Sequence, residues 1–132
     1  MNTIKSMNKG FVVIRGNRFA VSLAIDENEQ TNGLMHIEPP LTSMAFVYTR
    51  PQINKFWMKN VNDDLDILFC YKGKIIEIVK AEAYSTRLVG KDQYSDLVLE
   101  FPVNIHEKFG FKVGDDVKMS LSKEAFGKLL SV

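Results

Sequence analysis

The chain has 132 residues, 45% of them hydrophobic, with 17 basic against 16 acidic side chains and a formal net charge of +1. That length suits one domain, and the apolar content supports a core that needs neither metal nor disulfide. The charge balance lacks the basic excess by which proteins grip nucleic acid, so no nucleic-acid partner is expected.

From the N-terminus, MNTIKSMNKGFVVIRGNRFAV contains no uninterrupted apolar stretch of the roughly 7–15 residues a signal peptide needs. No later run nears the roughly 20 apolar residues of a membrane span. The expectation is a cytoplasmic protein with no membrane contact. Phe11 to Ile14 and Phe19 to Ile25 read as strands joined by a hairpin turn at Arg15-Gly16-Asn17. In the next segment, DENEQTNG, Asp26 and Glu29 have the spacing of a capping box, and Gly33 suits a left-handed helix end.

Glu38-Pro39-Pro40 enforces an extended connection. Met44 to Tyr48 reads as a strand, TRPQIN as a loop, and Lys55 to Asn60 as another strand. Leu65 to Tyr71 and Lys74 to Tyr84 form the clearest hairpin, turning at Lys72-Gly73, where glycine accepts a positive φ. Cys70, the one cysteine, stands in the apolar run ILFCY and reads as a small buried hydrophobe. Asp96 to Phe101 is a further strand, ended by Pro102. Asn104 is placed to cap a short helix with Glu107 three residues on and Gly110 at its end. Gly114-Asp115 turns the chain into a strand from Val117 to Leu121, and Ser122 caps a last helix, KEAFGKLL. About eight short strands with two or three short helices define an α+β, mainly β fold: a single small curved sheet or a partly open β-barrel. With no repeat or linker, residues 1–132 read as a single domain.

Three separated pieces, NGLM at 32–35, FWMKNVNDDLDILF at 56–69 and LVLEFPVNIHEKFGFKVGDDV at 97–117, together resemble the bacterial and archaeal family called domain of unknown function 192. The resemblance spans about residues 18–121 and implies that family's fold, but no activity, since the family has none established. The chain departs from the family pattern at His36, where a basic residue usually follows Gly-Leu-Met. It departs again at Asp63-Asp64, where a proline is common, and at SMAF (43–46), which lacks the usual glycine before its Met. Separately, Pro102 to Val117 resembles the strand–helix–Gly-Asp–strand element of small cradle-loop barrels, including swapped-hairpin transcription factors; this favours a barrel more than DNA binding.

The candidate site lies in KFWMKNVNDDLDILF (55–69). On a strand, Trp57 and Lys59 share one face. A tight reversal through Val61 to Asp64 places Asn60 opposite Leu65 and Lys59 opposite Asp66, close enough to touch beside the indole. One reading is structural: a cross-strand ion pair, contributing about 0–1 kcal/mol if exposed, over a core tryptophan. Such burial of Trp57 is worth on the order of 4–6 kcal/mol. The other reading is a binding module in which Trp57, Lys59, Asn60 and Asp66 hold a small polar ligand, such as a sugar, polyol or carboxylated metabolite, on an aromatic platform. A third makes Asp66 the base and Lys59 the electrostatic stabiliser of a hydrolase or lyase, which requires a desolvated site. The structural reading extends to an accessory or protein-interaction domain without a small-molecule site.

No HExxH, CxxC, GxSxG or phosphate-loop motif occurs, so no catalytic residue, cofactor or metal site is expected. His106 reads as a surface or partly packed residue, and His36 with Glu38 lacks further ligands. The carboxylates Asp63, Asp64 and Asp66 read as a solvated acidic loop.

Overall fold

Strand-forming runs punctuated by Gly, Asn and Asp turns fold into one sheet. The computed structural model describes residues 7–37 and 42–132. Within them β1 (Lys9–Ile14), β2 (Asn17–Ala24), β3 (Met44–Ile53), β4 (Leu65–Tyr71), β5 (Lys74–Ala81), β6 (Tyr94–Pro102) and β7 (Val117–Leu121) share that sheet. The helices are α1 (Glu27–Asn32), α2 (Ile105–Phe109) and α3 (Lys123–Ser131). Among the described residues, no helix is long and apolar enough to cross a membrane. The Glu38-Pro39-Pro40 connection lies outside the described residues.

The strand order is β5-β4-β6-β3-β2-β1-β7. All pairings are antiparallel except β2 with β3. The sheet curls into a half-barrel whose outer strands approach at one end. There the Ile75 N–H donates to the Asp115 carbonyl (3.0 Å) and the Val117 N–H to the Gly73 carbonyl (2.8 Å). The hairpin turns are where the sequence places them: Arg15-Gly16 and Lys72-Gly73 all carry positive φ, as two-residue turns between twisted strands require.

Two readings of the chain are corrected. The TRPQIN segment is not a loop, because β3 runs on through Pro51 to Ile53, its register with β6 shifting between Val47 and Gln52. Residues 55–60 are not a strand; only Phe56 pairs, in an isolated bridge with Val89. Asn60 then takes φ +60 and ends any extended path. Among the described residues seven strands therefore replace the expected eight.

The middle strands are buried on both faces. Along β4 and β6, Leu68, Cys70, Leu99 and Phe101 pack into the concave core with Val12, Leu23 and Phe111. Leu65, Ile67, Phe69 and Val98 point the other way, into a second core with Leu34, Phe46, Met58 and Val61. That second core is roofed by the segment after α1 and by the 54–64 loop. The loop is anchored by the Phe56–Val89 bridge, by the Met58 N–H on the Ser85 carbonyl (2.8 Å), and by T-shaped contacts of Phe56 with Phe46 and Phe69. Gly90 makes the close approach possible. At φ +115, a Cβ there would lie 2.8 Å from the Asn54 carbonyl oxygen and 3.0 Å from the Phe69 ring.

The helix ends show which local signals prevail. Asp26 and Glu29 form the expected capping box. Gly33 has positive φ but ψ −127°, outside the left-handed helical well, and any side chain there would press on Phe46. Asn104 does not cap α2. At φ +74 it makes no side-chain cap, and Asp66 reaches across from β4 instead. Its Oδ2 accepts the His106 backbone N–H (3.1 Å) and lies 2.7 Å from His106 Nδ1, a hydrogen bond in the tautomer that protonates that nitrogen. Glu107, freed from any box, pairs with Lys80 on β5 (2.8 Å).

A fully buried carboxylate that satisfies a helix end from another element ties sheet to helix. Asp66→Ala is expected to lower stability by about 2–3 kcal/mol, through the lost cap and the N–H left unmet. His106→Ala retains the backbone bond and should cost about 1 kcal/mol. Urea unfolding of the two variants measures both; equal stability of Asp66→Ala and wild type would refute the capping role.

Candidate functional site

Most polar groups in this fold are either solvated or satisfied, and one glutamate, almost wholly buried, lines a cleft with no protein partner among the described residues. Strand β6 runs Leu97-Val98-Leu99-Glu100-Phe101 between β3 and β4, with Glu100 in register between Met44 and Ile67. Alternation aims it at the second core, where its two cross-strand neighbours are fully buried and apolar. Glu100 is 5% exposed. Its carboxylate has no hydrogen-bond or ion-pair partner among the described residues. Burial pushes its pKa up to about 8.

What the carboxylate does face is a cleft of about 390 Å³ on the outer side of the sheet. One wall is α1 with the Gly33-Leu34-Met35 segment; the other is the end of β3 and the 54–57 stretch, with Phe46 and Phe56 between. The Tyr48 hydroxyl, with no partner among the described residues, sits near enough to Glu100 for the carboxylate's charge to add to burial in raising the phenol's pKa. Asn54, the other buried polar residue of the lining, is by contrast satisfied. Its Nδ2 donates to the Ser95 hydroxyl (2.7 Å) and carbonyl (3.2 Å), while its Oδ1 accepts from Gln52 (2.8 Å). Gln30 is likewise engaged, its Nε2 donating to the carbonyls of Ala24, Ile25 and Val47. The cleft therefore has a fixed polar frame, with Glu100 and Tyr48 as unpartnered groups in its interior.

The four residues singled out from sequence are not all gathered here. Trp57 lines the cleft and is 45% exposed, so it is a wall and not the core tryptophan of the structural reading. Lys59 stays with it, Nζ standing 5.2 Å from the ring centroid in a cation–π contact. Asn60 serves the backbone, its carbonyl accepting the His36 N–H at 2.7 Å. Asp66 is elsewhere. The expected Lys59–Asp66 and Asn60–Leu65 facings do not form, because Asp66 is flanked by Lys80 and Phe101 in the sheet and Leu65 by Ala81 and Pro102. The 54–64 loop covers one face of β4 while the Asp66 side chain belongs to the other, with the sheet between them. The acid–base pairing of Asp66 with Lys59 loses its geometry for the same reason.

The remaining acidic residues of that loop are also spoken for. The Ala83 N–H donates to Asp64 Oδ1 (2.8 Å), and the Asp64 N–H to Asp63 Oδ1 (2.9 Å). Among the described residues no three His, Cys, Asp or Glu side chains gather as a metal cluster. Cys70 is buried, and its thiol pKa is raised, chiefly by burial. Sequence reasoning missed Glu100 and Tyr48. The signal for Glu100 was present in the uninterrupted apolar run Leu97-Val98-Leu99, which marks a strand covered on both faces and so a buried position for the next residue.

Comparison with known proteins adds the family but no activity. The family model of DUF192, described as an uncharacterized ACR, matches residues 11–119. No curated protein matches the chain. A putative transcription regulator from Sinorhizobium meliloti 1021 is 25% identical with a TM-score of 0.81, covering 86% of this chain and 95% of its own. A protein of unknown function from Novosphingobium aromaticivorans DSM 12444 is 27% identical with a TM-score of 0.73, covering 83% of each chain. The match over residues 11–119 joins the Gly-Leu-Met turn, the Trp57 loop and the Glu100 strand in one pattern, and the chain belongs to the DUF192 family.

Proposed function

We propose that this domain is a binding module for a small polar ligand, seated in the cleft between α1 and the 54–57 stretch. Glu100 is the observation that carries the reading. A carboxylate held in an apolar row costs stability, and here no donor among the described residues offsets the cost. Raising its pKa from 4.5 to about 8 corresponds to a penalty on the order of 5 kcal/mol once the group is ionised. A purely structural role gives no return for that cost, whereas a ligand's hydrogen-bond donor does. The cleft supplies what a small ligand needs: aromatic surface from Trp57 and Phe56, a fixed amide at Asn54, and free groups at Glu100 and Tyr48. Lys59 holds the indole from outside the cleft lining. An accessory or interaction role leaves the cost at Glu100 unexplained.

Two measurements test the reading. Between pH 4.5 and about 8 the native state binds one proton more than the unfolded chain at Glu100, so this group's contribution to stability falls as pH rises and levels off above that window. Glu100→Gln, which carries no charge, should be more stable than wild type by several kcal/mol at about pH 9 and close to it near pH 4.5. Denaturant unfolding across that range reads the difference; a gap that does not change with pH would mean that the carboxylate is solvated.

Trp57 is the only tryptophan, so its emission reports on the cleft wall. Titration with sugars, polyols and small amines should shift that emission for at least one class, and Glu100→Gln should weaken the response by about tenfold, the scale of one lost charge-assisted hydrogen bond. Silence across all classes, with no change in melting temperature, would remove the proposal.

A further inference from the structure

We infer that the ligand of this cleft is an organic cation, its ammonium group donating to Glu100 and its hydrocarbon part lying against Trp57 and Phe56. The inference rests on the binding-module reading above and adds to it the charge and chemical class of the occupant.

The charges that face Glu100 decide the sign. From α1 comes a second carboxylate, Glu27, exposed at the cleft's edge. From β3 comes the neutral phenol of Tyr48. From the loop comes Lys55, the one ammonium among the described lining residues, whose Nζ is paired with Asp92 at 2.6 Å. The flanking strands contribute the apolar Met44 and Ile67. Among the described residues the lining thus offers two carboxyl groups and no unpaired cation. Above Glu100's pKa of about 8 an anionic ligand would meet that carboxylate without an unpaired counter-charge among the described residues, so a carboxylated metabolite fits poorly there.

A bare metal ion fits no better, since a divalent cation needs several oxygen donors at short range and the described residues form no such cluster. An ammonium needs one carboxylate, a hydroxyl acceptor and aromatic faces, and all three are present. Lys59, already over the indole at 5.2 Å, repels a second cation from that ring's neighbourhood. The ammonium is therefore directed inward to Glu100 and Tyr48, with the carbon skeleton left to the outer wall.

Ammonium binding to Glu100 requires the ionised carboxylate. In the empty cleft near neutral pH the group is mostly protonated, its pKa lying at about 8, so a cation must displace that proton. Affinity should rise as pH increases toward about 8, and binding should release protons.

A matched set of probes tests this: cyclohexylamine, cyclohexanol and cyclohexanecarboxylate, which present one ring with a cationic, neutral or anionic head group. Each is titrated at fixed ionic strength against wild type and Glu100→Gln, read by Trp57 emission and by calorimetry in buffers of differing ionisation enthalpy. The expected result is that the amine binds at least tenfold more tightly than either analogue, releases protons near pH 7, and loses at least tenfold in Glu100→Gln. Circular dichroism confirms that this variant is folded. Equal binding of amine and alcohol, or an amine response that survives Glu100→Gln, overturns the cationic assignment while the cleft stands as a binding site. No response from any of the three, together with silence in the wider titration, overturns both.

Discussion

The structure depends on three adjacent strands, β3, β6 and β4, being covered on both faces. Once that is so, every second residue of β6 enters one apolar compartment and every other residue enters a second one. No position along its middle is left for solvent. Leu99 and Phe101 meet one core, Val98 the other. Glu100 inherits its surroundings from that alternation: it cannot turn outward without shifting the register of two ladders. The same constraint places Asp66 in the concave core, where the first turn of α2 supplies donors to its Oδ2 while its Oδ1 has no partner among the described residues. Two acidic residues on neighbouring strands thus meet opposite fates, one spent on holding a helix and the other left without a donor.

The sheet also accounts for the cleft's shape. A half-barrel leaves its convex face without a second layer of strands, and here a short helix and an irregular loop supply the cover. Neither has the regular hydrogen bonding of a sheet. The loop is fixed instead by Phe56 wedged between Phe46 and Phe69 and by the approach of residues 89 and 90. Where helix and loop fail to meet, the gap exposes Trp57 on one side and reaches Glu100 within. At its floor Asn54 links the end of β3 to Ser95 on β6.

Local signals were legible in the sequence wherever the chain's own neighbours decide the outcome. The turns at Arg15-Gly16 and Lys72-Gly73, the Asp26–Glu29 box and the Ser122 cap all rest on contacts within four residues, and all formed. The family motif and the mainly β, partly open barrel were legible too. Failures came where a distant element competes. Asn104 has cap chemistry, but its backbone is driven to positive φ and Asp66 arrives from forty residues away. Lys55 to Asn60 has strand composition, but no neighbouring strand is free to pair with it beyond one bridge. Trp57, singled out from the sequence, forms part of the cleft's wall. The cleft's interior was missed because a glutamate in a strand reads as solvent-facing unless the sheet is known to be covered on both sides.

The hairpin's outer strand carries one more consequence. Along β5 the charged side chains are already engaged with the protein: Lys74 with Asp116, Lys80 with Glu107, and Glu77 accepting the Lys91 N–H. One end of its free margin is stitched to the chain that enters β7. A foreign strand seeking to extend the sheet there would have to strip these tethers before gaining a single ladder bond, so the margin is guarded against templated self-association.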